Sequence, residues 1–293
     1  MQHRVKNNYC LTPLTSGDGM VKETHKVAVI TMEGVNCEFE TMHVFQQLGV
    51  DAEMVHVKNL VGLGKPRKER DIYDYQMLVF PGGFSGGDYV RGGAIFASII
   101  KARLADRLAD YVRDGNLVLG ICNGFQVLIE LGLLPGGKDV MALFPQVALA
   151  PNETARFETR ETYVRKEKSH CNLTKYLKKR ILYMPSAHAE GRFVVDTKKG
   201  EKMLNMLEKE GYVVFRWVDR QGNTAGYPWN PNGALNHIAG LCDTTGNVLG
   251  LMPHPERSFY AYHMPEWTWN HKGRYGDGHI FFKAIVDYMQ KHM

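Results

Sequence analysis

The sequence predicts a doubly wound α/β fold: a mostly parallel sheet with a smaller mixed or antiparallel elaboration. Three observations point there. Short apolar runs bounded by turn residues alternate with amphipathic stretches of helical spacing, as strand–helix–strand crossovers do. The first of these runs, "KVAVITM", reads as a buried strand. Four of them end in loops of unusual chemistry, at the strand ends where open α/β sheets hold their ligands.

Taken in order, "KVAVITM" (26–32) is a buried strand, "EGVNCEFETMHVFQQLG" a loop and helix, "AEMVHV" (52–57) a second strand and "QMLVF" (76–80) a third. A long helix follows from about Gly93 to Asp114, with Phe96, Ile100, Leu104, Leu108 and Tyr111 on one face and Gly115 as its stop. "NLVLG" (116–120) is a fourth strand and "FQVLIELG" (125–132) a short helix. Between about Met141 and Val218 the pattern loosens into β-rich pieces ("RFETRETYVR", "GRFVVD") and a helix at "GEKMLNMLEKEG", the expected elaboration. The chain returns to the core with "YVVFRWVD", "IAGLCD" and "VLGLMPHPE", and closes with a helix from Asp277, whose side chain can cap it. This order of elements is flavodoxin-like. Residues 1–25 read as a polar extension and 26–293 as the folded unit.

Composition narrows the class. With 293 residues and 44% hydrophobic content the chain can bury a substantial core. A formal charge of +5 and the runs "KPRKER", "RKEK" and "KYLKKR" invite a nucleic-acid reading, but the runs are short and no aromatic-and-basic module accompanies them, so solvated faces or a protein partner are expected. Five cysteines at 10, 37, 122, 171 and 242 contain no C-x-x-C pair, which argues against a disulfide framework and a structural zinc site and for a reducing compartment. No apolar segment suits a signal peptide or a membrane span, so a cytoplasmic protein with no membrane partner is expected.

The strand ends carry the chemistry. "GICNG" sets Cys122 between Gly120 and Gly124 at a strand-to-helix turn. That is the geometry of a hydrolase nucleophile elbow, with the helix amino end favouring a thiolate. Free cysteine is also among the most buried residue types. The frame alone leaves packing and nucleophile equally open. "MPHPER" tips the balance, because His254 and Glu256, stiffened by Pro255 after a core strand, supply the base and the group that orients it. "PGGFSGGD" offers Gly82, Gly83, Gly86 and Gly87 but fits neither phosphate-loop pattern; backbone amides for an oxyanion are the better use. The remaining histidines show no zincin spacing, so no metal is expected. Cys37 follows a strand too, without a glycine frame, and a packing or pocket-wall role is expected for it.

Together the three motifs resemble the class I glutamine amidotransferases. "GVNCEFET", "FPGGFSGGDYVRGGA", "GICNGFQVLIELGLLPG", "HAEGRF", "NPNGALNHIAGLCDTTGNVLGLMPHPER" and "GDGHIFF" are similar to the family of glutaminase subunits of phosphoribosylformylglycinamidine synthases, from about residue 26 to the end. The resemblance implies Cys122 as nucleophile, His254 as general base and Glu256 as its orienter. It implies the Gly83 and Asn123 amides as oxyanion hole, with Gln126, His188 and Glu190 near the pocket for L-glutamine. It further implies ammonia delivery to a large synthetase subunit that uses ATP and Mg²⁺, a small accessory subunit, and no cofactor in this chain. Gly86, Ala189 and Ala234 stand where that family commonly has an aromatic, a glycine and a serine. Cysteine hydrolases and stress proteins with a similar elbow typically carry histidine directly after the cysteine, where Asn123 stands here.

Overall fold

The structure is a computed structural model, and it describes residues 25–63, 70–196, 200–270 and 273–293. The expected extension over 1–25, apart from His25, lies outside the described residues, as do most of "KPRKER" and Cys10. The first half comprises β1 (Lys26–Thr31), α1 (Glu38–Gln47), β2 (Asp51–His56), α2 (Val57–Leu60), β3 (Met77–Phe80), α3 (Ala94–Arg113), β4 (Leu117–Ile121) and α4 (Asn123–Leu131). After these come β5 (Val147–Pro151), β6 (Glu158–Arg160), β7 (Tyr163–Lys166), β8 (Ile181–Tyr183), β9 (Ser186–His188), β10 (Glu190–Val195) and α5 (Gly200–Lys209). The chain ends with β11 (Val213–Val218), β12 (Ile238–Cys242), β13 (Val248–Leu251), α6 (Trp267–Asn270) and α7 (Asp277–His292).

One nine-stranded sheet, ordered β2-β1-β3-β4-β13-β12-β11-β7-β8, organises the molecule. Strands β2 to β13 in that order pair in parallel. Every residue of β3, β4 and β13 is buried, as strands sandwiched between helices must be. On α3 the predicted stripe of Phe96, Ile100, Leu104, Leu108 and Tyr111 is buried. Side chains of this size contribute about 1.5–3 kcal/mol each when fully buried, so Phe96→Ala, at a ring edge-on to Phe80, would cost about 3–5 kcal/mol.

From β13 outward the pairing turns antiparallel through β12, β11, β7 and β8. The elaboration expected between 141 and 218 is therefore divided. Strands β7, β8 and β11 extend the main sheet, while β5 with β10 and β6 with β9 make two small antiparallel sheets. A β-rich composition reveals strands but not which edge they join. Asp277 also departs from its expected role. It makes no cap hydrogen bond to α7; its carboxylate instead accepts from Lys179 Nζ at 2.6 Å and from the Tyr183 amide at 2.8 Å, tying α7 to β8. That contact employs one of the basic runs internally, and Arg165 and Lys166 of another serve Glu167 and the carbonyls of Thr174 and Leu177. Among the described residues no helix is long and apolar enough to cross a membrane.

The register decides where chemistry can occur. Phe80 of β3 lies beside Gly120 of β4, and Gly120 beside Gly250 of β13. The loops after these three strands consequently emerge side by side. The strand order reverses between β1 and β3, so the loop after β1 joins these three at the same end of the sheet.

Candidate active site

Cys122 sits between β4 and α4 with φ 52° and ψ −107°, a backbone conformation that L-residues rarely adopt and that costs on the order of 1–3 kcal/mol. Three hydrogen bonds hold the turn in place. The Cys122 amide donates to the Leu251 carbonyl at 2.8 Å, and the Cys122 carbonyl accepts from the amides of Phe125 and Gln126. The flanking glycine is required sterically: a Cβ on Gly124 would lie 1.9 Å from the Phe80 carbonyl oxygen. The first turn of α4 therefore rests directly on β3. Cys122 is 6% exposed.

His254 and Glu256 follow β13 and are both 2% exposed. Nδ1 of His254 is 2.5 Å from Oε1 of Glu256. Since the carboxylate accepts there, Nδ1 carries the proton and Nε2 is left to face elsewhere. Nε2 is buried and makes no hydrogen bond of good geometry. Burial opposes charge on this imidazole, but the Glu256 carboxylate and then the neighbouring Cys122 and Cys37 sulfurs outweigh it, holding its pKa well above the ordinary histidine value. An imidazole so placed takes a thiol proton readily.

The glycine loop after β3 is zipped to the loop after β1. Phe84 donates to the Gly34 carbonyl at 2.8 Å and Asn36 to the Gly82 carbonyl at 3.4 Å, flanking an antiparallel bridge between Val35 and Gly83. Gly83 is thus the non-hydrogen-bonded position of that bridge, so its own N–H is turned outward and spare. Its φ of 145° and a would-be Cβ 2.8 Å from Val35 Cα restrict the position to glycine. Asn123, first residue of α4, contributes a second amide with no intrahelical partner. Its side chain binds the glycine loop to the helix, accepting from the Ser85 amide at 3.2 Å and donating to Asp88 Oδ1 at 3.2 Å and to Gln126 Oε1 at 2.9 Å.

The candidate pocket residues divide into two groups. Gln126 donates to the Glu190 carbonyl at 2.7 Å, and the Glu190 carboxylate accepts from the Gly92 amide at 3.1 Å. Asp88, Asn123, Gln126 and Glu190 therefore form one polar network beside the elbow. Burial raises the pKa of both carboxylates, opposed by contacts with Asn123 at Asp88 and with the Gly92 amide at Glu190. His188 is different. Its Nε2 pairs with Asn232 Nδ2 at 3.0 Å and its ring stacks near Trp217, so the side chain serves the interior. What β9 brings to the cysteine is backbone, the Ala187 carbonyl at 3.8 Å from Cys122 Sγ.

Cys37 is the residue whose place the sequence did not reveal. It precedes α1, is 1% exposed, and its Sγ accepts from Arg257 Nη2 at 3.0 Å. Its Sγ, a His254 ring nitrogen and a Glu256 oxygen all lie within 4.8 Å of one another. Burial pushes the Cys37 thiol up, with the His254 contact opposing. A wall role agrees with this position, and the wall is one that the His254–Glu256 pair shares. A second cysteine at a strand end beside the topological switch was the available signal.

The CobB/CobQ-like glutamine amidotransferase domain matches residues 24–289. The chain belongs to that family. It is 47% identical over 275 residues to phosphoribosylformylglycinamidine synthase subunit PurQ of Archaeoglobus fulgidus, covering 93% of this chain and all of that protein. The PurQ subunit of Methanococcus maripaludis is 40% identical over 289 residues, covering 93% of this chain and all of its own length. Among solved structures, PurLQS from Thermotoga maritima superposes with a TM-score of 0.66 at 29% identity, covering 91% of this chain and 99% of the matched one. Within the amidotransferase family the chain is thus placed with the PurQ subunits.

Proposed function

We propose that residues 26–293 act as the glutaminase of a phosphoribosylformylglycinamidine synthase, hydrolysing L-glutamine through Cys122 and releasing ammonia for a synthetase partner. The partner would convert formylglycinamide ribonucleotide to formylglycinamidine ribonucleotide in de novo purine synthesis, in the cytoplasm. The observation that carries this reading is a cysteine held at positive φ beside a buried histidine–glutamate pair, in a chain 47% identical to a PurQ subunit.

The chemistry follows from the atoms present. His254 Nε2 takes the Cys122 thiol proton, and the sulfur attacks the side-chain amide carbon of glutamine. The carbonyl electron pair moves onto oxygen, where the Gly83 and Asn123 amides receive it; one such donor is commonly worth about 2.7–4 kcal/mol in the transition state. When that pair returns, the C–N bond breaks and His254 protonates the nitrogen, which leaves as ammonia. Water then gives a proton to His254 and attacks the γ-glutamyl thioester, and C–S cleavage yields glutamate. Glu256 keeps the imidazole in the right tautomer and supports its positive charge throughout.

Amination needs ATP and Mg²⁺, which we assign to a large synthetase subunit, with a small accessory subunit completing the assembly. This chain supplies only the glutaminase. Glutamate release by the purified chain, with and without the synthetase, tests the assignment together with Cys122→Ala. That substitution should remove glutamine-dependent amination and leave ammonia-dependent amination nearly unchanged. A parallel fall in both would mean that Cys122 is structural.

A further inference from the structure

We propose that Cys37, clamped by Arg257, is a positioning residue of the glutaminase: its sulfur braces the His254 imidazole so that Nε2 stays aimed at Cys122. The inference rests on the glutaminase reading. It gives a task to a buried side chain beside the triad that the hydrolytic cycle does not use.

Cys37 is held by backbone and side chain alike. Its amide donates to the Gly82 carbonyl at 3.2 Å, and its carbonyl accepts from the Thr41 hydroxyl at 2.6 Å and the Thr41 amide at 3.1 Å. Its thiol donates to Asn36 Oδ1 at 3.3 Å, and the sulfur accepts from Arg257 Nη2 at 3.0 Å. A buried thiol with both roles taken, and pushed up in pKa by that burial, is neutral and keeps its proton. It therefore competes with neither the nucleophile nor the base. What it offers His254 is a fixed, bulky surface.

The ring lies against that surface. The point a Gly82 Cβ would occupy is 2.7 Å from His254 Cε1 and 3.1 Å from Cys37 Sγ, so ring and sulfur together fill the space over this glycine. Cys37 Sγ, a His254 ring nitrogen and a Glu256 oxygen lie mutually within 4.8 Å. Glu256 grips Nδ1 at 2.5 Å, but one contact at one ring atom leaves the imidazole free to swing about it, and a neighbour on its flank removes that freedom. Arg257 completes the arrangement. It follows Glu256 in the short turn Pro255–Ser258, its amide donates to the His254 carbonyl at 3.2 Å, and its guanidinium reaches Glu40 Oε1 at 3.4 Å as well as Cys37. The turn that carries the base and its orienter is thereby tied to the loop after β1 and to the first turn of α1.

The titratable groups facing His254 are Cys122 at the elbow, Cys37 on the loop after β1, Glu256 on its own turn and His188 on β9, with Arg257 behind Cys37. Alkylation of Cys122 by iodoacetamide as a function of pH, with adducts mapped by peptide mass, reads the thiolate–imidazolium pair in the full chain without glutamine. In Cys37→Ala and in Arg257→Ala the midpoint of that profile should rise by about one pH unit, because a displaced imidazolium stabilises the thiolate less. Adding Arg257→Ala to Cys37→Ala should change little, since both act through one brace. Cys37→Ser, whose hydroxyl can still accept from Arg257 and donate to Asn36, should restore most of the native profile. With the synthetase present, kcat for glutamate release should fall roughly tenfold or more in Cys37→Ala at unchanged KM. Should Cys37→Ala fail to fold, Arg257→Ala, which trims a partly exposed side chain, carries the same test. Native midpoints in both folded variants overturn the brace. So does a fall in kcat with the midpoint unmoved, as a merely structural cysteine would give, and so does preferential labelling of Cys37 in the native protein, which would make it a nucleophile. The expected shifts in a protein that releases no glutamate, even with its partner, would support the brace and count against the glutaminase reading instead.

Discussion

Gly82 leaves His254 the space its imidazole occupies: a methyl group at position 82 would stand 2.7 Å from His254 Cε1, closer than non-bonded carbons approach. The ring, held by Glu256 on its other side, has no free direction in which to retreat without losing that contact. Gly82→Ala should therefore displace the base by a sizeable fraction of an ångström. Misplacements of about 1 Å cost roughly a hundredfold in rate, and the overpacking itself about 1–3 kcal/mol of stability. Glutamate release should fall by about that factor while ammonia-dependent amination by the reconstituted complex persists. Unchanged kcat for glutamine in a folded Gly82→Ala protein would show that the imidazole can move at no cost.

The strain at the elbow can be measured separately from the chemistry. Cys122→Ala and Cys122→Gly both remove the thiol, but only glycine is at ease at φ 52° and ψ −107°. In urea unfolding, Cys122→Gly should be more stable than Cys122→Ala by about 1 kcal/mol, the lower end of the usual cost of such a backbone. Equal midpoints, or a less stable glycine variant, would show that the turn stores no strain.

Most of the core was legible because its signals are local. Short apolar runs such as "MLVF" and "LVLGI", bounded by turn residues, are strands buried along their whole length, and the helical stripe of α3 falls where its spacing predicts. The Cys122 frame and the His254–Glu256 pair were legible for the same reason, since a few adjacent residues fix each. The partners of Cys37 and Asp277 were not. Arg257 is 220 positions from Cys37, and Lys179 is 98 from Asp277; only the sheet order brings them together, and no local pattern encodes it. The partner of His188 was no more legible: the "HAEG" landmark sets this residue near the pocket, and nothing local shows that the alternation of β9 turns its ring inward to Asn232.

That inward histidine gives the fold an acid-sensitive point. Burial, and then the nearby His254 charge, hold the His188 pKa down at about 3. An unfolded chain titrates its histidines near 6.5. Above that pH neither state takes the proton and His188 does not affect stability. As pH falls from about 6.5 toward 3 the unfolded chain binds a proton that the folded one refuses, so stability drops by up to about 1.4 kcal/mol per pH unit. Asp88 and Glu190, raised by burial, work in the opposite sense. The difference between native protein and His188→Gln isolates the histidine. Denaturant unfolding between pH 4 and 6 should show the native slope steeper by close to one proton. Parallel slopes would mean that His188 is protonated in the folded state.

The last prediction concerns coupling to the synthetase. The glycine loop is fastened at both ends, by the zipper to Gly34 on one side and by a forked Arg91–Glu130 pair, 2.6 Å at each bond, on the other. Between them Gly86, Gly87 and Asp88 all have positive φ, and Tyr89 and Val90 are 90% and 68% exposed. An apolar tip held out on a glycine-rich segment suits a surface that a partner covers. The same loop supplies Gly83 and, through Asn123, touches the elbow, so covering the tip can favour the conformation in which both oxyanion donors converge. The effect requires the partner to bind that conformation more tightly than the alternatives. A shift of about 1–3 kcal/mol, ordinary for coupled sites, corresponds to roughly 5–150-fold in glutaminase rate. The isolated chain should accordingly be a weak glutaminase, and steady-state glutamate production at saturating glutamine should rise by such a factor when synthetase carrying its nucleotide ligands is added. Tyr89→Ser with Val90→Ser should blunt that rise while leaving the unassisted rate in place. Equal rates with and without partner would refute the coupling, and the cysteine chemistry would stand regardless, because it needs only the elbow, the imidazole and its carboxylate.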